Sequence, residues 1–349
     1  MHTIDWIREH GKESLTTELG IKVREYPDRM ILNYDQINSP KTHPVVCECR
    51  GLVLSLPDLR VLCRPMDRFF NVREDPDWQL FPFDGCLVEE KVDGSMLAAY
   101  HDGDKWCVST RGMAFAEGTT AFGLSFAEIF WSIAPVLPDE LIGHTIIFEM
   151  VSPETRVVKP YPERELTLLA VRDNDGYELK HCIVEQIAER LGVRRPDVII
   201  GTDLARLESM ADALPSKFDE GFVLRADGGG PNPWRLKLKS QAYLAIAHLR
   251  NNGVLTPWRI ARMVAEGAED EYLAYFPEDA KHFGPYQARL SYLEGFAKGL
   301  DHLFAIESQK EFALAVKDTS VAGFMFMKRK RPELTFRDWV KNSTDNAVE

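Results

Sequence analysis

Lys91 lies in the stretch "VEEKVDGSML", beside two glutamates and two residues before an aspartate, within a run that otherwise alternates like a strand. Alone, such a cation reads as an exposed strand end closed by an Asp-Gly turn. Three later segments widen the possibilities. Glu149 sits in "IIFEMVSP", Glu220 in "DEGFVLR", and Lys237 and Lys239 alternate with Leu236 and Leu238 in "RLKLKS". Alternate strand residues share a face, so the two lysines point the same way. By itself that last segment is an amphipathic strand with a solvated face.

Taken together, the four segments hold the parts for attack of a lysine on phosphorus. The amine must be neutral to attack, against an ordinary pKa of about 10.4. Nearby cations and partial burial disfavour the ammonium form. Lys237 and Lys239, facing Lys91, are therefore expected to lower its pKa and to bind phosphates. Glu149 and Glu220 are candidates to hold a hydrated Mg²⁺ (or Mn²⁺), mostly through water. Such an ion screens the charge of the attacked phosphate and of the leaving group.

The elements that position these residues follow from the apolar pattern. From Val45 to about Ser240, short strand-like bursts ("RGLVLSL", "WCVST", "HTIIFEMV", "LTLLAVR", "EGFVLRA", "WRLKLKS") alternate with Gly, Pro, Asp and Asn clusters. "AFGLSFAEIFWSI" and "HCIVEQIAERLG" interrupt them with helical spacing. The irregular order predicts an α+β fold with antiparallel sheets rather than a doubly wound one. After Ser240 the pattern turns helical. "SQAYLAIAHLRNNG" ends on an Asn-Gly stop, and "TPWRIARMVAEG" carries Pro in its first turn and Gly at its end. Leu290, Leu293, Phe296, Ala297, Leu300, Leu303 and Phe304 are expected on one helix face, and the tail "KNSTDNAVE" is expected to fray. Two domains are predicted, 1–243 and 244–349.

Composition narrows the class. The chain has 349 residues, 45% hydrophobic and 28% charged, with a net charge of −12. That balance disfavours nucleic-acid binding through the whole surface but leaves room for a local basic groove. No apolar run is long enough to span a bilayer, and the N-terminus lacks the order of a signal peptide. The six scattered cysteines read as buried or partly buried reduced thiols. His181 and Cys182 have no second pair at zinc-ligand spacing. "DGGGPNPW" is a glycine-rich turn outside any strand–helix dinucleotide setting, and no G-x-x-x-x-G-K-[ST] is present. "KRKRP" at 328–332 reads as solvated surface or as a hold on an RNA backbone. Phe69, Phe70 and Trp78 beside Arg64, Arg68 and Arg73 fit either a base-stacking surface or a core edged by arginines.

The order "KVDG", "FEMV", "EGFV", "KLK" resembles the motif series of covalent nucleotidyltransferases, which comprise DNA ligases, RNA ligases and capping enzymes. "ECRGLVLSL", "RPMDRFFNVRED", "EKVDGSMLAAYHDGD", "FEMVSPETRVVKPY" and "LKLKSQAYL" narrow the resemblance to the ATP-dependent RNA ligase 1 family of bacteriophages, the tRNA-repair ligases. The resemblance runs from about Asn33 to Ser240 and continues more loosely through "GAEDEYLAYF" and "GLDHLFAI". It implies a nucleotidyltransferase (ATP-grasp-like) domain and an all-helical domain for substrate recognition. Lys91 would then be the AMP-accepting nucleophile, with Glu90, Val92, Arg50, Arg68 and Arg111 about the ATP. Glu149 and Glu220 would serve the metal and the ribose, and Lys237 and Lys239 the phosphates. Arg68 and Arg111 stand where the family often has lysine; arginine keeps the charge and binds phosphate bidentately.

The implied substrate is RNA with 5′-phosphate and 3′-hydroxyl ends, such as a nicked tRNA, supplied by an end-healing kinase and phosphatase. A monomer in the cytoplasm of a bacterium or phage-infected host, without membrane partners, is the matching expectation. Two alternatives stay open: a DNA ligase or capping-type enzyme, and a catalytically silent RNA-binding protein of the same fold. Helices rather than an oligonucleotide-binding barrel after "KLKS" disfavour the first. The intact set of lysines and glutamates disfavours the second.

Overall fold

The computed structural model describes residues 1–120, 122–228, 232–249 and 255–343. The chain forms two compact units, Met1–Ala247 and His248–Glu349. The strands in chain order are β1 (Ile21–Glu25), β2 (Arg29–Tyr34), β3 (Arg50–Ser55), β4 (Val61–Cys63), β5 (Phe70–Asn71), β6 (Leu87–Glu90) and β7 (Ser95–His101). They continue as β8 (Trp106–Ser109), β9 (His144–Val151), β10 (Glu165–Asp173), β11 (Val198–Ile200), β12 (Gly221–Ala226) and β13 (Trp234–Lys239). Helices α1 (His2–His10), α2 (Ser14–Thr17), α3 (Pro44–Glu48), α4 (Phe126–Ile133), α5 (His181–Leu191) and α6 (Leu204–Asp212) pack around them, and α7 (Gln241–Leu249) follows β13.

Three sheets result, ordered β1-β2-β3-β4, β10-β9-β7-β8 and β11-β6-β12-β13-β5. Among the described residues the pairings between these strands are antiparallel except β13 with β5. The expected α+β class and antiparallel arrangement therefore hold, and each strand-like burst from "RGLVLSL" onward is a strand. Strands β1 and β2 of the first sheet precede Val45 and are not among the expected bursts. Strand β2 is buried on both faces: Met30 and Leu32 pack with Leu15 and Val46, while Ile31 joins Tyr100 and Ala98 of the neighbouring sheet. On β13, Leu236 and Leu238 turn toward Leu207 and Ala211 of α6, leaving Lys237 and Lys239 on the opposite face as the alternation requires. Helix α4 begins in a reciprocal Ser125–Glu128 cap, and α5 ends at Gly192 in the left-handed conformation, φ 65°.

The second unit is helical: α8 (Pro257–Glu266), α9 (Glu269–Leu273), α10 (Ala280–Gly299), α11 (Gln309–Val316), α12 (Ala322–Lys330) and α13 (Phe336–Lys341). Helix α8 starts at Pro257 behind the Thr256 cap and stops at Gly267, as its sequence predicts. The long apolar face needs correction. Helix α10 ends at Gly299, Leu303 and Phe304 lie in a 3₁₀ turn, and Phe296 is exposed. Its buried positions are Phe283, Leu290 and Ala297, a seam of one residue per two turns that is narrower than a full amphipathic stripe. The Asn-Gly stop, residues 229–231 of the glycine-rich turn and residues 344–349 of the tail lie outside the described residues.

Four cysteines are buried and Cys47 is half-buried, but Cys182 is exposed, against expectation. His181 sits beside Glu185 and Glu89 rather than in a metal-ligand arrangement. In the basic run, Lys328 pairs with Asp301 and Arg329 donates to the carbonyls of Ile306 and Glu307, leaving Lys330 and Arg331 exposed.

Candidate active site

Three neighbouring strands bring the charged residues to one edge. Lys91 follows β6, Glu220 precedes β12 and Lys239 ends β13. The ladder pairs Gly221 with Lys239 and Phe222 with Glu90. The backbone N–H of Lys91 donates to the Gly221 carbonyl at 2.9 Å, which fixes the lysine beside Glu220. A side chain at position 221 would stand 2.1 Å from the Leu238 carbonyl, and φ there is 130°, so only glycine permits this approach. Lys91 Nζ reaches Glu220 at 2.7 Å, and Lys239 Nζ reaches the other carboxylate oxygen at 2.8 Å. Glu220 is 5% exposed and held below the usual carboxylate range: burial opposes ionisation, but the two lysines outweigh it.

The Asp93-Gly94 pair is not a plain turn. Asp93 is 3% exposed and accepts hydrogen bonds from the backbone N–H groups of Val158 and Lys159 and from the Tyr243 hydroxyl. Burial, with Glu220 nearby, still pushes its pKa up. At Gly94 a Cβ would meet the Met150 carbonyl oxygen at 2.5 Å. The segment 91–94 is therefore pinned on both sides as it crosses from one sheet to the other.

Opposite Lys91, the middle strand β9 presents Glu149, paired in register with Met96 of β7 and Thr167 of β10. Glu149 lines an inter-sheet cavity of about 70 Å³ together with Arg50, Glu90, Lys91, Val92 and Lys237. Leu169 and Val223 supply apolar walls from facing sheets, with Phe69 and Met96 at the side. Among the described residues Glu149 makes no hydrogen bond or ion pair. Burial raises its pKa to about 7; Lys91 opposes the rise and Glu220 adds to it. The cavity is smaller than the roughly 300 Å³ that ligand pockets usually offer, so filling it requires side chains to give way. Lys237 is the obvious plug: its Nζ donates to the Phe69 carbonyl at 3.0 Å and lies 4.6 Å from the Phe69 ring centre.

The expected charge assignment is reversed. Burial lowers Lys91, but Glu220 and Glu149 outweigh it and hold its pKa above the ordinary value. Lys237 is the depressed lysine, brought down to about 6 by burial and then by Arg50, Lys91 and Lys239. The reason is position. Lys91 is flanked by carboxylates on both sides, whereas Lys237 faces cations and a ring.

The remaining expected residues divide. Arg50 is deeply placed, and burial lowers its pKa; its guanidinium contacts the Met66 carbonyl at 3.4 Å and Met96 Sδ at 3.2 Å, over Phe69. Arg68 is not at the cavity wall: it bonds Glu74 at 2.9 Å and stacks on Phe70 at 4.0 Å. Arg111 lies over Tyr34 at 5.3 Å and, like Arg68, is outside that wall. Arg64 is buried with Glu48. Of the aromatics, Phe69 lines the cavity and Trp78 edges the core behind β13.

Sequence reasoning missed a buried ionic lattice under the cavity. Arg235, in its lining, donates from both terminal guanidinium nitrogens to Glu178 at 2.8 and 2.5 Å. Arg225 stands 3.3 Å from the same Glu178, and Arg172 clamps Asp67 at 3.0 Å. Only the arginines' places inside strands of apolar type hint at burial. Their partners lie too far off in the chain to be read.

Glu149 yields a direct test. Its folded pKa of about 7 exceeds the ordinary 4.5, so its stabilising protonated state is fully present below pH 4.5 and is lost as pH rises through 7. Glu149→Gln removes this loss. The variant should match the wild type in melting temperature near pH 5 and exceed it near pH 8, by about 3 kcal/mol of stability at most. A constant difference across pH would refute the assignment.

The profile of the RNA ligase family matches residues 48–243, more than half of the chain. "Putative bifunctional polynucleotide kinase/RNA ligase" of Autographa californica nuclear polyhedrosis virus is 29% identical over 309 residues, 82% of this chain and 43% of that protein. The RNA ligase of Rhodothermus phage RM378 is 26% identical over 287 residues, 64% of this chain and 65% of that one. A solved archaeal ATP-dependent RNA ligase aligns at 18% identity with a TM-score of 0.48, covering 94% of this chain and 81% of that chain. This protein belongs to the RNA ligase family. It spans less than two thirds of the length of either relative.

Proposed function

We propose that the protein is an ATP-dependent RNA ligase that joins 5′-phosphate and 3′-hydroxyl ends through AMP carried on Lys91. The observation that carries the reading is the placement of Lys91 in the lining of the inter-sheet cavity, between the committed Glu220 and the uncommitted Glu149. The apolar walls Leu169 and Val223 suit a base, and Lys237 suits the phosphates. An uncommitted carboxylate titrating near 7 fits a divalent cation, Mg²⁺ or Mn²⁺, held by Glu149 through water. Such an ion would supply charge neutralisation at the phosphates and weaken the hold of the carboxylates on the Lys91 proton.

The chain's own residues then act in sequence. Lys91, once neutral, attacks the α-phosphorus of ATP, and pyrophosphate leaves past Lys237 and Lys239. Glu220 keeps Lys91 and Lys239 at fixed spacing while the charge redistributes. AMP passes to the 5′-phosphate of the RNA, a 3′-hydroxyl attacks that activated end, and AMP is released. Positive charge beside the phosphates, with Lys237 taking up a proton as they bind, would supply most of the rate. The helical unit would recognise the substrate, with nicked tRNA suggested by the sequence resemblance. An end-healing partner is supported by the viral relative, whose name pairs a polynucleotide kinase with an RNA ligase.

The test is covalent labelling. The protein is incubated with Mg²⁺ and ATP labelled at the α-phosphate, then offered 5′-phosphorylated RNA or DNA. Protein-bound label that withstands alkali, is released by acid as AMP and moves to RNA is the expected result. Transfer to DNA alone would indicate a DNA ligase, and no label a silent RNA-binding protein.

A further inference from the structure

We propose that the groove beside β13 seats the 5′-phosphorylated terminal nucleotide of the RNA and that Arg73 claims its phosphate. This rests on the ligase reading and adds the acceptor site to it. The groove has a volume of about 550 Å³ and is lined by Asn71, Arg73, Glu208, Lys237, Lys239 and Gln241, among others. Nucleotide-sized ligands occupy pockets of roughly 300–1,000 Å³. A pyrophosphate is far smaller than this space.

Lys237 lines both the groove and the inter-sheet cavity. The groove runs along the edge of β13 from the α6 side, at Ala211 and Leu238, to Lys237, so a phosphate group in it would share that lysine with a nucleotide in the cavity. Transfer there balances without another reactant. An oxygen of the RNA 5′-phosphate bonds to the AMP phosphorus and the phosphorus–nitrogen bond to Lys91 breaks. Its electron pair returns to Nζ, which takes up a proton, and a phosphoanhydride links AMP to the RNA.

Arg73 is placed for capture. It has φ 68°, in the left-handed region that usually holds Gly or Asn. The turn that imposes this conformation is closed by the N–H groups of Glu74 and Asp75 on the Asn71 carbonyl, at 3.0 and 3.3 Å. Its side chain is 57% exposed, lies 5.5 Å over the Trp78 ring and forms an ion pair with Glu208. Exposed ion pairs contribute little, so a dianionic phosphate displaces Glu208 readily and is gripped by the guanidinium fork. The other acid at the groove, Asp212, is occupied by the Gln241 backbone N–H at 3.0 Å, and Lys239 is held by Glu220.

The experiment uses Lys91-adenylylated protein freed of ATP, mixed with 5′-phosphorylated oligoribonucleotide or with pyrophosphate. Arg73→Asn should raise the RNA concentration for half-maximal AMP transfer roughly tenfold or more, the usual cost of a lost charged hydrogen bond. Release of label by pyrophosphate should stay within about twofold of wild type. The melting temperature should hold or rise, because Asn accepts a positive φ more readily than Arg. Unchanged transfer to RNA would overturn the proposal. So would a loss confined to the pyrophosphate arm, which would assign the groove to that ion, or a fall in melting temperature with matching loss of both arms. Absence of label in the wild type would instead sink the ligase reading itself.

Discussion

Lys91→Arg is expected to fold, keep its contact with Glu220, and accept no AMP. Arginine preserves the charge that the buried Glu220 requires, so the Lys239–Glu220 pair should survive intact. A guanidinium cannot be deprotonated at working pH, so the nucleophile is lost while the electrostatics remain. Protein-bound label should fall to roughly one thousandth of wild type or less. Lys91→Ala would be a poorer test, because it also strips a buried carboxylate of one partner. Lys237 is the lysine with the depressed pKa, so it is the rival nucleophile. Label that persists in Lys91→Arg and disappears in Lys237→Met would transfer the role to Lys237.

Lys237→Met should lose activity and gain stability. The folded pKa of about 6 lies well below the ordinary 10.5, so the native state releases a proton that the unfolded chain keeps between those values. The contribution of Lys237 to stability is present above pH 10.5 and is lost as pH falls through 6. At pH 7.5 the native protein therefore carries a penalty that methionine lacks. With partial exposure allowed for, the gain is on the order of 2 kcal/mol, a rise of about 4 °C or more in melting temperature. The gain should grow toward pH 6 and shrink toward pH 10. Methionine also packs against Phe69 in place of the ammonium group. Adenylylation should slow by roughly a hundredfold to a thousandfold, the usual cost of removing a group that stabilises transferring phosphate. Thermal melts across pH and single-turnover labelling measure the two effects. Destabilisation by the substitution would refute the depressed pKa.

Part of this site is legible in the sequence because its residues ride on strands. Two-residue periodicity alone puts Lys237 and Lys239 on one face and Leu236 and Leu238 on the other. Adjacency of β6, β12 and β13 then gathers Lys91, Glu220 and Lys239. What strand periodicity does not carry is the sign of the local field. The pKa values of Lys91 and Lys237 depend on which sheet faces which, and that order is set by pairings between distant positions of the chain, such as Lys91 with Glu220. For the same reason the lattice of Glu178, Arg225 and Arg235 and the bond from Tyr243 to Asp93 have no local signature. The first sheet is hard to read because β2, buried on both faces, looks like a plain apolar run. In α10 the helical spacing is visible, but Gly299 ends the helix before the apolar positions run out.

Segment 91–94 crosses from the sheet of β6 to the sheet of β7. Lys91 travels with the first, tied to Gly221 and Glu220, and Gly94 is wedged against Met150 in the second. If the two sheets part to admit a nucleotide, the spacing of Lys91 to Glu220 and Lys239 stays constant while its spacing to Glu149 lengthens. The short strap between them then serves as a gauge, setting how far the jaws can open before the nucleophile is dragged from its seat.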